Sequence, residues 1–73
     1  MRRVELASTM MASAGYDASR RVLEIEFRRG TTYVYADVPE TEYDALLASP
    51  SKGAFFRQRI QGVFPFRRTD RAR

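Results

Sequence analysis

The feature that most constrains this chain is a pair of strand-like segments on either side of one glycine. Residues 21–28 read RVLEIEFR, and the apolar members of this alternation are Leu23, Ile25 and Phe27. Because successive side chains of a strand point to opposite faces, this period of two predicts a strand with one apolar and one charged face. Residues 31–38 are rich in β-branched and aromatic side chains and predict a partner strand. The two segments predict a β-hairpin that turns at Gly30.

The length of that turn decides which face Tyr33 and Tyr35 occupy. A two-residue turn at residues 29–30 places both tyrosines on the charged face, where they would be available to stack on nucleic-acid bases. A three-residue loop, with Gly30 left-handed in a bulge, places both on the apolar face. The shorter turn requires Arg29 to adopt a positive φ, which is unfavourable for a residue with a side chain. We therefore expect the longer loop and a core position for both tyrosines.

Two short helices are predicted after the hairpin. Pro39 suits a first helical position, and Tyr43, Leu46 and Leu47 recur at helical spacing. The first helix is expected to end at residues 49–50, where a proline follows a serine.

A second helix is expected to begin at Ser51, a preferred N-cap residue, and to end at Gly62. Its large apolar side chains are Phe55, Phe56 and Ile60. Neighbouring side chains on a helix point about 100° apart. One of the two adjacent phenylalanines is therefore expected to be exposed, and Phe56 is assigned as an anchor for a partner.

These elements predict an α+β fold: a small antiparallel β-meander of three to four strands with two short helices packed on one face. Residues 8–16 supply a strand before the hairpin, and residues 63–66 a last one at a sheet edge, where proline is tolerated. The domain is expected to span residues 8–66, with residues 1–7 as a flexible N-terminal arm and residues 67–73 as a disordered basic tail. The predicted core comprises Leu23, Ile25, Phe27, Tyr33, Tyr35, Leu46, Leu47 and Ile60.

The composition argues against catalysis. The chain contains neither cysteine nor histidine, so disulfides, thiol chemistry, the usual zinc ligands and histidine proton transfer are excluded. Glu24 and Glu26 share a strand face, but the outward face of a 73-residue domain offers no cleft in which two carboxylates can take different catalytic roles. We expect a non-enzymatic protein with no cofactor and no metal.

The charge is unevenly distributed along the chain. Residues 1–51 carry six basic and eight acidic groups, whereas residues 52–73 carry seven basic groups and one acidic group. Such a basic segment favours nucleic acid or an acidic protein surface as partner, or else it only solvates the fold. The candidate partner-binding residues are Val4, Leu6, Arg20, Arg21, Lys52, Phe56, Arg57, Arg59, Arg67 and Arg68. If the last strand lies beside the second helix, the cations from Lys52 onward form one stripe.

The apolar segments are short. The first residues lack a stretch typical of a signal peptide, and nothing approaches the length of a transmembrane helix. We expect a cytoplasmic monomer that does not enter membranes.

Several short motifs occur in the order found in one known family. They are Gly15-Tyr16-Asp17, Leu23-x-Ile25-x-Phe27, Gly30-x-x-Tyr33-x-Tyr35, Asp37-Val38-Pro39, Tyr43-x-x-Leu46, Ser51-Lys52-Gly53-x-Phe55-Phe56 and Ile60-x-Gly62-x-Phe64-Pro65. Over residues 8–66 the chain resembles the KTSC domain, which occurs at the C-terminus of some lysyl-tRNA synthetases and as a stand-alone bacterial or phage protein.

The resemblance implies two functions. One stand-alone member is a bacteriophage transcription regulator that binds host RNA polymerase, which implies that this chain docks on the polymerase and inhibits or redirects initiation. In that hypothesis Val4 and Leu6 of the arm contact the polymerase together with nearby arginines. The synthetase context implies the alternative, an RNA- or DNA-binding module whose arginine stripe contacts phosphates.

Overall fold

The computed structural model, which describes residues 3–69, contains five strands in one antiparallel sheet whose order follows the chain. The strands are β1 (Arg3–Glu5), β2 (Met11–Asp17), β3 (Val22–Phe27), β4 (Thr32–Tyr35) and β5 (Phe66–Thr69). Helix α1 (Glu40–Ala48) follows β4. Helix α2 (Lys52–Phe55) continues directly into a π-helical turn (Phe56–Ile60) that precedes β5. The predicted α+β fold is thus confirmed, with a wider sheet than expected.

The hairpin between β3 and β4 has the expected three-residue loop. Ile25 pairs with Tyr33 and Leu23 with Tyr35. The amide of Phe27 donates to the carbonyl of Thr31 at 2.8 Å, which closes the loop. Gly30 has a φ of 105°, a conformation that residues with a side chain rarely adopt. The register therefore places both tyrosines on the apolar face, as predicted.

The core lies between that face and the helices. Of the predicted core, Leu23, Ile25, Phe27, Tyr35, Leu46 and Ile60 are buried, while Tyr33 and Leu47 are half-buried against them. The core also contains five residues outside that prediction, namely Leu6, Met11, Ala14, Val38 and Phe56. Because the helices cover only this face, no second layer covers the face that carries Glu24 within residues 3–69.

The helix boundaries follow the local signals. Pro39 occupies the N-cap of α1, one position before the predicted one, and Ser49 ends that helix. The side chain of Ser51 accepts a hydrogen bond from the amide of Ala54, which caps α2 as predicted. Gly62, with a φ of 79°, follows the π-helical turn and lets the chain reverse toward β5.

The N-terminal arm was wrongly predicted for residues 3–7. Val4 pairs with Ala14 of β2, and Leu6 is 4% exposed within the core. Arg3 forms an ion pair with Glu24 across the sheet. A three-residue edge strand needs only backbone hydrogen bonds to pair, so it carries no hydrophobic period that the sequence pattern could reveal. Residues 1–2 of the predicted arm lie outside the described residues.

The last strand and the tail were also misplaced. β5 begins at Phe66 rather than Val63 and includes Arg67 and Arg68, which were assigned to a disordered tail. Pro65 has no N–H to donate, and its carbonyl accepts from the amide of Ala36 at 2.9 Å just before the strand. Charged side chains suit an exposed edge strand, because the pairing is made by the backbone. Residues 70–73 of the predicted tail lie outside the described part of the chain.

Candidate functional site

A groove of about 670 Å³ opens on the helix-bearing face of the sheet, between the hairpin tip and the end of the π-helical turn. The helices leave this part of the face uncovered. Five of its eleven lining residues are aromatic and two are cations; the residues are Thr9, Met10, Phe27, Arg28, Arg29, Tyr33, Tyr35, Phe56, Gln61, Gly62 and Phe66.

The floor of the groove is a set of aromatic rings in contact. Phe66 stacks on Tyr33 with ring centroids 5.2 Å apart and ring planes 3° from parallel. Tyr33 also meets the edge of Phe27 at 5.5 Å, and Phe27 in turn packs against Phe56 at 5.4 Å. These edge contacts fix the rings in place from the core side. Phe66 also contacts the ring of Tyr35, with centroids 5.6 Å apart, but it is 57% exposed, so part of its ring is open to a ligand.

Arginines of the hairpin tip form the rim of the groove. Arg28 donates from Nε to the carbonyl of Ser8 at 2.7 Å and from Nη2 to the carbonyl of Leu6 at 3.2 Å. These two bonds orient the guanidinium and leave further N–H donors for a partner. Arg29 is exposed at the tip, and Arg68 pairs with Tyr33, which puts it on the same face of the sheet. The rim is therefore cationic and the floor apolar.

A second, smaller cavity of about 290 Å³ lies on the other side of Thr9 and Met10. Its lining is mainly polar and consists of Ala7, Ser8, Thr9, Met10, Pro50, Ser51, Lys52, Gly53, Ala54 and Arg57. The two cavities share Thr9 and Met10, so they are adjacent on the surface.

The predicted stripe of cations does not form as one surface. Arg59 is engaged with the domain itself: it forms an ion pair with Glu42 at 2.7 Å and lies 5.5 Å from the centre of the Phe55 ring. Arg67 pairs with Val34 and so occupies the face of the sheet that has no helices. Lys52 and Arg57 lie together at the smaller cavity, and Arg68 lies on the helix-bearing face through its pairing with Tyr33.

The other predicted contact residues are scattered. Arg20 and Arg21 lie in the turn between β2 and β3, at the end of the sheet away from the hairpin tip. Val4 is 38% exposed on strand β1. Phe56, the expected anchor, is 4% exposed and belongs to the core, because the π-helical turn directs it toward Phe27. Its neighbour Phe55 is the more exposed of the pair.

Sequence reasoning missed the groove because its parts are far apart in the chain. Arg28 and Arg29 were considered for the hairpin and were not among the partner-binding candidates, and Phe66 was considered only as the end of the last predicted strand. The sequence offered one sign of this groove, the two arginines next to Gly30. Loops lie at the protein surface, and the two strands of a hairpin fix the position of its loop, so these arginines are exposed at a defined place.

Three charged residues of the sheet contact one another on the face away from the groove. On the face without helices Arg3 contacts the carboxylates of both Glu24 and Glu26, and Ser13 donates to Glu26 at 2.9 Å. Within residues 3–69 no group of three or more aspartate, glutamate, cysteine or histidine residues could hold a metal ion. No helix in that range is long and apolar enough to cross a membrane.

Two tyrosines titrate abnormally because they are buried. Burial raises the pKa of Tyr35 to about 12, with a smaller contribution from neighbouring Tyr33. Burial also raises the pKa of Tyr16, whose hydroxyl donates to the carbonyl of Val38 at 2.5 Å and whose ring stacks on Tyr43. Both phenols therefore remain protonated near neutral pH and act as packing and hydrogen-bonding groups.

Comparisons with known proteins agree with this fold. A crystal structure of a KTSC domain protein from Yersinia pestis superposes with a TM-score of 0.90 at 40% identity, over 93% of this chain and 96% of that chain. An uncharacterized protein of Stutzerimonas stutzeri is 43% identical over 58 residues, which are 80% of this chain and 82% of the relative.

A second kind of relative is much longer. The lysine–tRNA ligase of Trichormus variabilis is 37% identical over 51 residues, which are 70% of this chain but only 9% of the ligase. The KTSC domain model matches residues 7–64. The chain therefore belongs to the KTSC domain family.

Proposed function

We propose that this domain is a non-enzymatic module that binds single-stranded RNA in the aromatic groove. The observation that carries the proposal is the open Phe66 ring, stacked on Tyr33 and bordered by Arg28 and Arg29. Proteins bind single-stranded nucleic acids by stacking the bases on aromatic side chains while cationic side chains contact the phosphate backbone. The groove combines both elements on one face.

The chemistry favours a single strand over a duplex. Bases within a duplex are already stacked and paired, so their faces are not available to Phe66. The two rim arginines are exposed and present guanidinium groups, which form paired hydrogen bonds to phosphate. Some relatives are lysine–tRNA ligases, enzymes that act on an RNA. We therefore propose RNA rather than DNA as the ligand of this domain.

Docking on bacterial RNA polymerase as a bacteriophage transcription regulator stays a prediction. It relied on an apolar arm, whereas Val4 lies in strand β1 and Leu6 is in the core. We rank it second for that reason.

The proposal is tested by fluorescence anisotropy of a labelled single-stranded RNA, compared with a duplex and with DNA of the same sequence. We expect the single-stranded RNA to bind most tightly, with affinity falling as salt is raised. Phe66→Ala should weaken binding about 5- to 150-fold, the equivalent of about 1–3 kcal/mol for one stacked base. Arg29→Gln should also weaken it, and Arg20→Gln at the far end of the sheet is the matched control.

Two results would contradict the proposal. One is the absence of binding to single-stranded RNA at low salt by folded protein. The other is binding that Phe66→Ala leaves unchanged. A pull-down from bacterial lysate addresses the polymerase: subunits recovered after nuclease treatment and in raised salt would favour the second hypothesis.

A further inference from the structure

Two cationic side chains line the smaller cavity. Lys52 and Arg57 are the charged side chains among its lining residues, and the rest are small, apolar or hydroxyl-bearing. A polar cavity with two cations and no carboxylate in its lining attracts an anion.

Lys52 is held by a hydrogen bond, and Arg57 lies close to the backbone of Gly53. The Nζ atom of Lys52 donates to the carbonyl of Ser49 at 2.6 Å, which uses one of its three donors. The Nη1 atom of Arg57 lies 3.6 Å from the point that a Cβ on Gly53 would occupy, so the guanidinium lies against the backbone there. Ion-binding groups that are already positioned lose less conformational entropy when the ligand arrives.

The cavity is adjacent to the aromatic groove. Thr9 and Met10 line both, and Met10 also reaches to within 3.8 Å of the Gly53 Cβ position. A chain that leaves the groove over these two residues enters the polar cavity. In a single-stranded nucleic acid, the group found one step along the chain from a base is a backbone phosphate.

We propose that the cavity formed by Lys52 and Arg57 binds a backbone phosphate of the RNA strand whose bases occupy the groove. This inference rests on the proposed function and adds a second subsite to it. The ligand at this subsite is a phosphodiester, which carries one negative charge and two free oxygens. Arg57 supplies a fork of parallel N–H groups to those oxygens, and Lys52 supplies a point charge.

The test measures the salt dependence of binding to a short single-stranded RNA. For each phosphate contact that is lost, the slope of log affinity against log salt should become shallower by about 0.7. We expect this change in Arg57→Gln and in Lys52→Gln. Arg57→Lys, which keeps the charge, should keep the slope, and Arg20→Gln is the matched control because the Arg20 side chain is 78% exposed in a distant turn.

A second measurement identifies the phosphate. Neutral methylphosphonate linkages are introduced one at a time along the RNA. One position should weaken binding by wild-type protein at least threefold, and the same position should have a clearly smaller effect on Arg57→Gln, in which only Lys52 is left to contact the phosphate. This non-additivity is specific to a direct contact, which a general loss of positive charge would not reproduce.

The outcomes separate the two proposals. If Phe66→Ala weakens binding but Arg57→Gln and Lys52→Gln leave the salt slope unchanged, the phosphate subsite is disproved and the proposed function stands. If the folded wild-type protein binds no single-stranded RNA, both proposals fail. Circular dichroism of each variant verifies that loss of binding does not arise from loss of folding.

Discussion

The ring of Phe66 lies almost parallel to the ring of Tyr33, with 5.2 Å between their centres. This contact joins the edge strand β5 to its neighbour β4 on the face that carries the groove. Tyr33 is half-buried and belongs partly to the core, whereas Phe66 is 57% exposed. The pair therefore connects a rigid interior to a surface ring that is available for binding.

Phe66 should matter more for binding than for folding. We expect Phe66→Ala to lower the free energy of unfolding by only about 1 kcal/mol, the value of an exposed aromatic pair. Phe56→Ala should cost about 3–5 kcal/mol, because Phe56 is 4% exposed and packs against Phe27 and Tyr35. Urea denaturation followed by circular dichroism measures both. Equal losses in the two variants would show that Phe66 is a core residue after all.

The N-terminal strand is expected to be an integral part of the fold. Leu6→Ala should lower the free energy of unfolding by about 2–5 kcal/mol, since Leu6 is 4% exposed and its side chain lies in the core. Val4→Ala, in strand β1 two residues earlier and 38% exposed, should cost less than about 1 kcal/mol. Thermal denaturation of both variants is the measurement. A neutral effect of Leu6→Ala would restore the flexible arm that the sequence pattern suggested.

The hairpin loop depends on glycine for its backbone conformation. Gly30 has a φ of 105° and nothing lies within 4 Å of a Cβ placed there, so Gly30→Ala would introduce strain without a clash. We expect it to cost about 1–2 kcal/mol in the free energy of unfolding. Gly53→Ala is the control, because an added Cβ there meets only ordinary contacts at 3.6 and 3.8 Å. If both variants are equally stable, the positive φ of Gly30 does not constrain the fold.

Tyr35 should make stability fall at high pH. Its pKa is about 12 in the folded protein against 10.0 for the free side chain. Between these values the unfolded chain loses the phenolic proton while the folded protein keeps it, so its contribution is present below pH 10 and is lost as pH rises toward 12. Ultraviolet titration should show one tyrosine that ionises last. Tyr35→Phe should remove that step; if the step persists, another tyrosine is the buried one.

The sequence pattern by itself determined the central hairpin and the class of fold. Alternation of Leu23, Ile25 and Phe27 requires one buried sheet face, and the cost of a positive φ at Arg29 selects the loop that ends at Gly30. Both are local effects that a few neighbouring residues settle. The helices were found for the same reason, since Ser51 caps its own helix through a bond three residues away.

Only the tertiary structure decided the edges of the sheet and the groove. β1 pairs with β2 and β5 pairs with β4 through backbone hydrogen bonds. Residues such as Arg67 can therefore adopt a strand conformation without an alternating apolar pattern. The π-helical turn places Phe56 in the core, whereas Phe66 lies in the edge strand β5 and stays at the surface. Arg28 and Phe66 are thirty-eight positions apart in the chain and meet at one groove because β3, β4 and β5 are neighbours in the sheet. The sequence contains these residues, but the pairing of distant strands makes them one site.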